Sequence, residues 1–361
     1  MKKATKLIVL LLSLCMVFAL AACGDSKNNP APAVTSSPSG AQQGNETEAP
    51  SDGETVEPIT LKLAHNTAAT GMTGEQYQAF ADLVSEESGG AMQVEIFASG
   101  SLVTDVDALD AVMEGQCDFA HGMVSYMDGL IKDIVPLEIP GYYIGEDFVK
   151  FSETIQPIME DIFADYNVKF LGSNYQGQAG FVSVDRLITK PEDLKGMAVR
   201  AAGTYISKAV EAWGGAPTTV SLPDLTTALE RKSVDAAYTG YSIIGSFKLY
   251  EMAKKVTFTT ITESYAGLIM SMDTWNKLSP AQQAVIERAA ERWRTETFNV
   301  GDAYRQQYID EINAAGIDVY EMSPDETKAF TDLSSALFDD VEPGLGEKGK
   351  QLLETLRELN G

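Results

Sequence analysis

A chain of 361 residues in which 52 acidic side chains face 27 lysines and arginines, for a net charge of −25, repels polyanions, so no nucleic-acid partner is expected. Three cysteines, Cys15, Cys23 and Cys117, are too few and too scattered for a disulfide scaffold. The length suffices for two domains of ordinary size.

Lys2, Lys3 and Lys6 form a positive end, an apolar run from Leu7 to Ala21 follows, and Leu20-Ala21-Ala22-Cys23 closes the segment. This is the layout of a secretion signal, and the run is too short to sit comfortably as a finished helix across roughly 30 Å of hydrocarbon. The ending resembles the bacterial lipobox. That resemblance implies removal of residues 1–22 as a lipoprotein signal peptide and lipid transfer to Cys23, leaving an extracytoplasmic protein lipid-anchored to the outer face of the cell membrane. Losing residues 1–22 removes three lysines and no acids, so the charge becomes −28. Only Cys117 then remains in the body, where it is expected as a small buried apolar side chain. Residues 24–58 are rich in Ser, Pro, Gly, Asn, Ala and Glu, with Val34 and Val56 as the only large aliphatics. Such a stretch cannot bury enough apolar surface to order itself, so residues 23–58 read as a lipidated cysteine and flexible linker.

From residue 59, strand and helix patterns alternate. Ile59, Leu61 and Leu63 predict a strand. Thr73-Gly74-Glu75-Gln76 reads as a capping box opening a helix whose face is Tyr77, Phe80, Ala81 and Val84, ended by Gly89-Gly90. Met92, Val94 and Ile96 predict a second strand. Thr104 can cap a helix bearing Val106, Leu109, Val112 and Met113 on one face, and a third strand falls near 117–123. A helix carrying Phe148, Phe151, Ile155, Ile158, Ile162 and Phe163 leads to strands near 168–171 and 197–201. Thr204 caps the next helix, Ser221 to Lys232 forms another, and a strand covers 234–239. From Ser279, with Pro280 at the first helical position and Gln282 completing a capping box, helical pattern runs to about Ala315, roughly 50 Å at 1.5 Å per residue. The alternation argues for an α/β fold of helix-covered parallel or mixed sheets.

Enzyme signatures fall short. His65 and His121 have no cysteine or second histidine nearby in sequence and read as structural. Gly240-Tyr241-Ser242-Ile243-Ile244-Gly245 misses a nucleophile elbow by one residue and reads as a loop entering a helix. No phosphate-binding glycine motif occurs, and Asp105 with Asp107 lacks calcium-loop spacing. No catalytic residue, metal or cofactor is therefore expected. A surface this acidic can bind an anion only beside a local, desolvated cation, which draws attention to individual arginines.

The run Arg186-Leu187-Ile188-Thr189-Lys190-Pro191-Glu192-Asp193-Leu194-Lys195-Gly196-Met197-Ala198-Val199-Arg200 resembles the signature of DctP-type solute-binding proteins of tripartite ATP-independent periplasmic (TRAP) transporters. Gly214-Gly215-Ala216-Pro217, Ala228-Leu229 with Val234-Asp235, and Trp275-Asn276-Lys277-Leu278-Ser279-Pro280 match later blocks of that family in order and spacing. Gly100-Ser101-Leu102 through Gly115 and Asp118 resembles an earlier one. The similarity covers nearly all of residues 59–361.

The resemblance implies a two-lobed, periplasmic-binding-protein-like (class II) fold with a long helix crossing both lobes. It implies a non-enzymatic receptor that closes around a small organic acid and delivers it to TRAP membrane permease subunits. Lobe I is expected to comprise 59–177 plus 266–305, and lobe II 178–265 plus 306–361. Arg200 then holds the ligand carboxylate, and Tyr238, Thr239, Leu222, Tyr175 and Asn66 are the further ligand candidates. Several positions depart from the family pattern. Gly180 stands where many members carry a second arginine, Thr239 where an asparagine is usual, Leu222 where an aromatic is common, and Leu187 where proline is common. With Tyr175, Phe181, Tyr205, Tyr238 and Tyr241 nearby, these point toward a larger or aromatic monocarboxylate. A ligand sensor for a membrane receptor and a secreted hydrolase are the competing readings.

Overall fold

The structure, a computed structural model, describes residues 55–143 and 147–360. The signal segment, Cys23 and the linker up to residue 54 lie outside the described residues. Val56 packs against the core and Gln282 Nε2 donates to the Glu57 carbonyl at 2.9 Å, so docking of the chain begins before residue 59.

Strands β1 (Ile59–Ala64), β2 (Met92–Phe97) and β3 (Phe119–Met123) are mutually parallel, with β1 in the middle. Between them lie α1 (Met72–Glu87) and α2 (Ala108–Met113), and α3 (Val124–Met127) follows β3. After α4 (Phe148–Ala164) comes β4 (Val168–Ser183), a 16-residue strand. A second parallel set is built from β5 (Ala198–Arg200), α5 (Thr204–Ala212), β6 (Ala216–Thr218), α6 (Leu222–Glu230) and β7 (Ala236–Gly240), with α7 (Tyr241–Ser246) directly after it. Then β8 (Lys255–Ser271), 17 residues long, returns antiparallel to β4. The chain ends with α8 (Met272–Trp275), α9 (Pro280–Ala314), β9 (Val319–Glu321), α10 (Pro324–Ser334), α11 (Ala336–Val341) and α12 (Glu347–Asn360). The sheet order is β2-β1-β3-β8-β4-β7-β5-β6, with β9 beside β8.

Among the described residues the sheet therefore joins the two parallel sets through β4 and β8. One end of β8 pairs with β3 and one end of β4 with β7, so each long strand serves both halves of an α/β, two-lobed binding-protein fold. Between the halves the β4–β8 pairing is irregular, with register shifts at Tyr175/Gln178 and Gln178/Gly180. Bulges of this kind bend a strand locally. Gly177 turns there at φ +79°, and a Cβ at this position would run into the Tyr241 ring.

Helix α9 begins as expected, with Ser279 and Gln282 capping each other reciprocally and Pro280 at the first position. It packs on α1 in one half, crosses β4 and packs on α7 in the other. Cys117 is buried, as expected of a small apolar side chain.

Several expectations need correction. No side chain caps α1; its N-cap is Gly71. Thr73 and Gln76 are buried instead, where Thr73 donates to Gln176 Oε1 at 3.3 Å and Gln76 Nε2 to the Tyr175 carbonyl at 2.9 Å, tying α1 to β4. Helix α2 starts only at Ala108, because Thr104 bonds the Asp107 carboxylate in a preceding turn and leaves Val106 63% exposed. Gly203, not Thr204, is the N-cap of α5. Helix α12, expected with the second lobe, packs against α4 and the 3-10 turn Lys132–Glu138 in the first half, whereas α10 packs on β8 and α5.

Gly301 lies inside α9 with the Tyr175 ring pressed where a Cβ would stand. Alanine favours a helix over glycine by about 1 kcal/mol, yet overpacking costs roughly 1 to 3 kcal/mol. We expect Gly301→Ala to lower stability in urea denaturation; a gain would mean that Tyr175 has room to move.

Candidate ligand cleft

In α/β sheets, ligands settle beyond the carboxyl ends of parallel strands, where loops and helix starts leave side chains and backbone groups free to converge. Both parallel sets do this here. Thr67 beyond β1, His121 to Tyr126 at the end of β3, Arg200 to Ala202 at the end of β5, and Tyr238 to Gly240 at the end of β7 surround one cavity. Gln176 and Ala179 of β4 and Thr262 to Tyr265 of β8 close it from the crossing strands. Its volume is about 110 Å³, room for several waters or a small organic molecule.

The sequence around Arg200 is mostly scaffold. The Asp193 carboxylate accepts from the backbone N–H groups of Thr189 (3.0 Å) and Lys190 (3.2 Å), with Pro191 starting the short 3-10 turn between them. Leu194 is fully buried, and Gly196, at φ +77°, turns the chain into β5. Asp235 fixes that strand's start by accepting from the Ala198 N–H at 2.7 Å. Strand β5 then ends on Arg200, paired with Thr218 on one side and Ala237 on the other.

Arg200 is only 3% exposed. Its Nε donates to the Val220 carbonyl at 3.1 Å, and the Tyr126 hydroxyl lies against the guanidinium. Among the described residues it has no ion-pair partner. Burial lowers its pKa from the ordinary value, with Tyr126 opposing the shift, but a guanidinium stays charged in a protein. The cavity wall also holds acids. Burial pushes the Asp105 carboxyl up to about 7, against the opposing Asn66 N–H that donates to it at 3.1 Å. Glu138 is pushed well above the carboxylate range, chiefly by burial and secondly by the neighbouring Asp128. Among the described residues no group of three or more His, Cys, Asp or Glu side chains is placed to hold a metal ion.

Of the candidates from sequence, the structure brings Arg200, Tyr238, Thr239 and Leu222 to the cavity. Tyr175 and Asn66 are not on its wall. Tyr175 is drawn into the aromatic packing of the crossing, with Phe148, Phe298 and Tyr241 ring centroids 6.0 to 6.5 Å away. Asn66 gives its backbone N–H to Asp105, and its side chain lies over Gly100; Thr67 takes the wall position instead. Phe181 and Tyr241 are core residues and Tyr205 is not on the wall, so the rings that line the cavity are those of Tyr126, Tyr238 and Tyr265. Asp105, Tyr126 and Glu138 were missed. Their signal was positional, since they follow the first and third strands, where parallel sheets place ligands. His121 bonds Tyr77 through Nδ1 and also touches the cavity, while His65 Nδ1 bonds Thr67 at 2.9 Å.

The profile of bacterial extracellular solute-binding protein family 7 matches residues 63–343. The chain belongs to this family. It is a DctP-type solute-binding protein of the TRAP transporters, which bind solutes outside the cytoplasm and are not enzymes. The C4-dicarboxylate-binding protein DctB of Bacillus subtilis is 24% identical over 307 residues, covering 83% of this chain and 86% of the relative. The ectoine-binding periplasmic protein TeaA of Halomonas elongata is 22% identical over 289 residues, covering 78% and 84%. The solved sugar acid binding protein DctPAm of Advenella mimigardefordensis, in complex with galactonate, superposes with a TM-score of 0.77 at 18% identity, covering 84% of this chain and 99% of that one. Among the described residues no helix is long and apolar enough to cross a membrane.

Burial pushes the two histidines from 6.5 down to about 4 for His65 and about 3 for His121. An unfolded chain would therefore take up to two more protons than the native one as pH falls from about 6.5 toward 4, so this contribution to native stability is lost over that window. We expect neither imidazole resonance of an untagged chain to titrate above pH 5 by about a unit's margin in NMR; an inflection near 6.5 would mean an exposed ring.

Proposed function

We propose that this receptor is a lipoprotein that closes two lobes around a small organic acid and hands it to the membrane permease of its transporter. Arg200 carries the reading. Taking a charge out of water costs several kcal/mol unless a partner compensates, and among the described residues no carboxylate does. A ligand carboxylate would meet two parallel N–H donors of a planar guanidinium. Such a charge-assisted contact contributes roughly 1.5 to 3 kcal/mol, whereas micromolar binding needs about 8 kcal/mol. Apolar contacts with Leu222 and Ile206, polar ones with Tyr238 and Thr239, and exclusion of water on closure supply the remainder.

The hinge belongs at the irregular stretch of β4 and β8, which supports lobes divided near 177/178 and 265/266, with α12 riding on the first. Relatives differ in what they are named for: C4-dicarboxylates for DctB, sialic acid for SiaP of Vibrio cholerae, ectoine for TeaA. A cavity of about 110 Å³ favours a small acid over a bulky one. The anchor rests on the Leu-Ala-Ala-Cys ending at residues 20–23.

Two experiments test this. In a thermal-shift panel of mono- and dicarboxylates with neutral sugars and amides as controls, stabilisation should be confined to acids. Arg200→Ala should weaken binding by about 10- to 100-fold, the loss of one charge-assisted contact; unchanged affinity would remove Arg200 from the site. Separately, Cys23→Ala should shift the protein from the membrane fraction to the soluble exported fraction and abolish the mass increase of lipidation.

A further inference from the structure

We propose that the solute carries, beside its carboxylate, a cationic nitrogen that docks on Glu138. The ligand class is then an ammonium or amidinium acid rather than a plain monocarboxylate or a dicarboxylate. This rests on the Arg200 reading and assigns a second group in the same cavity.

Glu138 ends the turn Lys132–Glu138 and lines the cavity from beside Gly203 and Tyr205, just past β5. It is 4% exposed, and its Oε2 is enclosed with no hydrogen-bond donor among the described residues. Asp128 lies within hydrogen-bonding reach, but two carboxyls can bond only by sharing a proton. The groups facing this pair are otherwise few. The Tyr205 N–H reaches Glu138, and Thr204 with the Gly129 N–H reaches Asp128. Lys132 gives its ammonium to the Asp128 backbone carbonyl at 2.9 Å, and Tyr126 stands between Glu138, Asp105 and Arg200. No lysine or arginine is within ion-pair distance of the Glu138, Asp128 or Asp105 carboxyl among the described residues, although the Lys132 charge is near enough to lower the Asp128 pKa against the effect of burial. Gly203 keeps space at the carboxylate: a Cβ there would stand 3.2 and 3.3 Å from its two oxygens.

Among the described residues the cavity thus holds two buried groups of opposite type, a guanidinium with no carboxylate in ion-pair range and a Glu138 carboxyl with no lysine or arginine in ion-pair range. A buried acceptor left without a donor is costly, and an ammonium group brings three donors and a compensating charge. On binding, the proton shared by Glu138 and Asp128 passes to solvent and the ligand nitrogen takes its place. A dicarboxylate would bring its second negative charge toward Glu138 and Asp105.

The test is calorimetric titration of the full mature chain with probes matched in carbon skeleton: 4-aminobutanoate against butanoate and succinate, and L-proline against cyclopentanecarboxylate. Two buffers of different protonation enthalpy report proton release. We expect at least one ammonium acid to bind tenfold or more tightly than its matched partners, with proton release on binding. Glu138→Gln should bring the matched probes within about threefold of each other, while Arg200→Ala should weaken every acid by a similar factor. Equal binding of matched probes, a preference for succinate, or a preference that survives Glu138→Gln would overturn the proposal while leaving the Arg200 clamp in place. Selection of neutral amides over all acids, unaffected by Arg200→Ala, would overturn both. The wild-type preference and proton count need no variant to fold.

Discussion

Arg200 is held out of water at the carboxyl end of β5, in contact with a backbone carbonyl and a tyrosine hydroxyl but, among the described residues, with no ion-pair partner. A guanidinium in that state constrains everything around it. The strand must be fixed at its start, which Asp193, Leu194, Gly196 and Asp235 accomplish through backbone hydrogen bonds, burial and a left-handed turn. The charge is tolerable because the second parallel set presents it to a cavity rather than to the core. Where the overall charge of the chain repels anions, a desolvated local cation can still select one.

The same constraint explains the role of the long strands. If a solute held by Arg200 on one half is also to be enclosed by Thr67 and Asp105 on the other, the halves must approach to enclose it and separate to release it. Among the described residues β4 and β8 are the sheet connection between the two parallel sets, and their pairing breaks register near Tyr175, Gln178 and Gly180. Around that stretch the packing is tight. Tyr175 fills the space over Gly301, Tyr241 fills the space over Gly177, and the Tyr241 hydroxyl donates to the Gly301 carbonyl at 3.1 Å. This short irregular segment is therefore flanked by tight packing.

Much of this was legible in the sequence where local chemistry is self-contained. Ser279, Pro280 and Gln282 announce α9 because each acts within one helical turn. The block ending at Arg200 was read instead through its resemblance to the family signature. Strand β8 was not foreseen, and β4 was seen only in its first residues, because both are buried on nearly every residue and lack the in–out alternation that marks a half-exposed strand. Thr73 and Gln76 were misread as a cap because the residue types that cap helices also make buried links between elements. Glu138 and Tyr126 join Arg200 only through the fold, and nothing local in their sequence sets them apart. Tyr175 and Asn66 lie next to wall residues in sequence, but side-chain direction sends them to the core and to a loop.

The measurement that bears most directly on the account is a crystal structure of the mature chain with its solute bound. The account predicts two carboxylate oxygens about 2.7 to 2.9 Å from the Arg200 guanidinium nitrogens, enclosed by residues of both halves. A solute lying in the cleft with no anionic group on Arg200, or bound to one half alone, would contradict it.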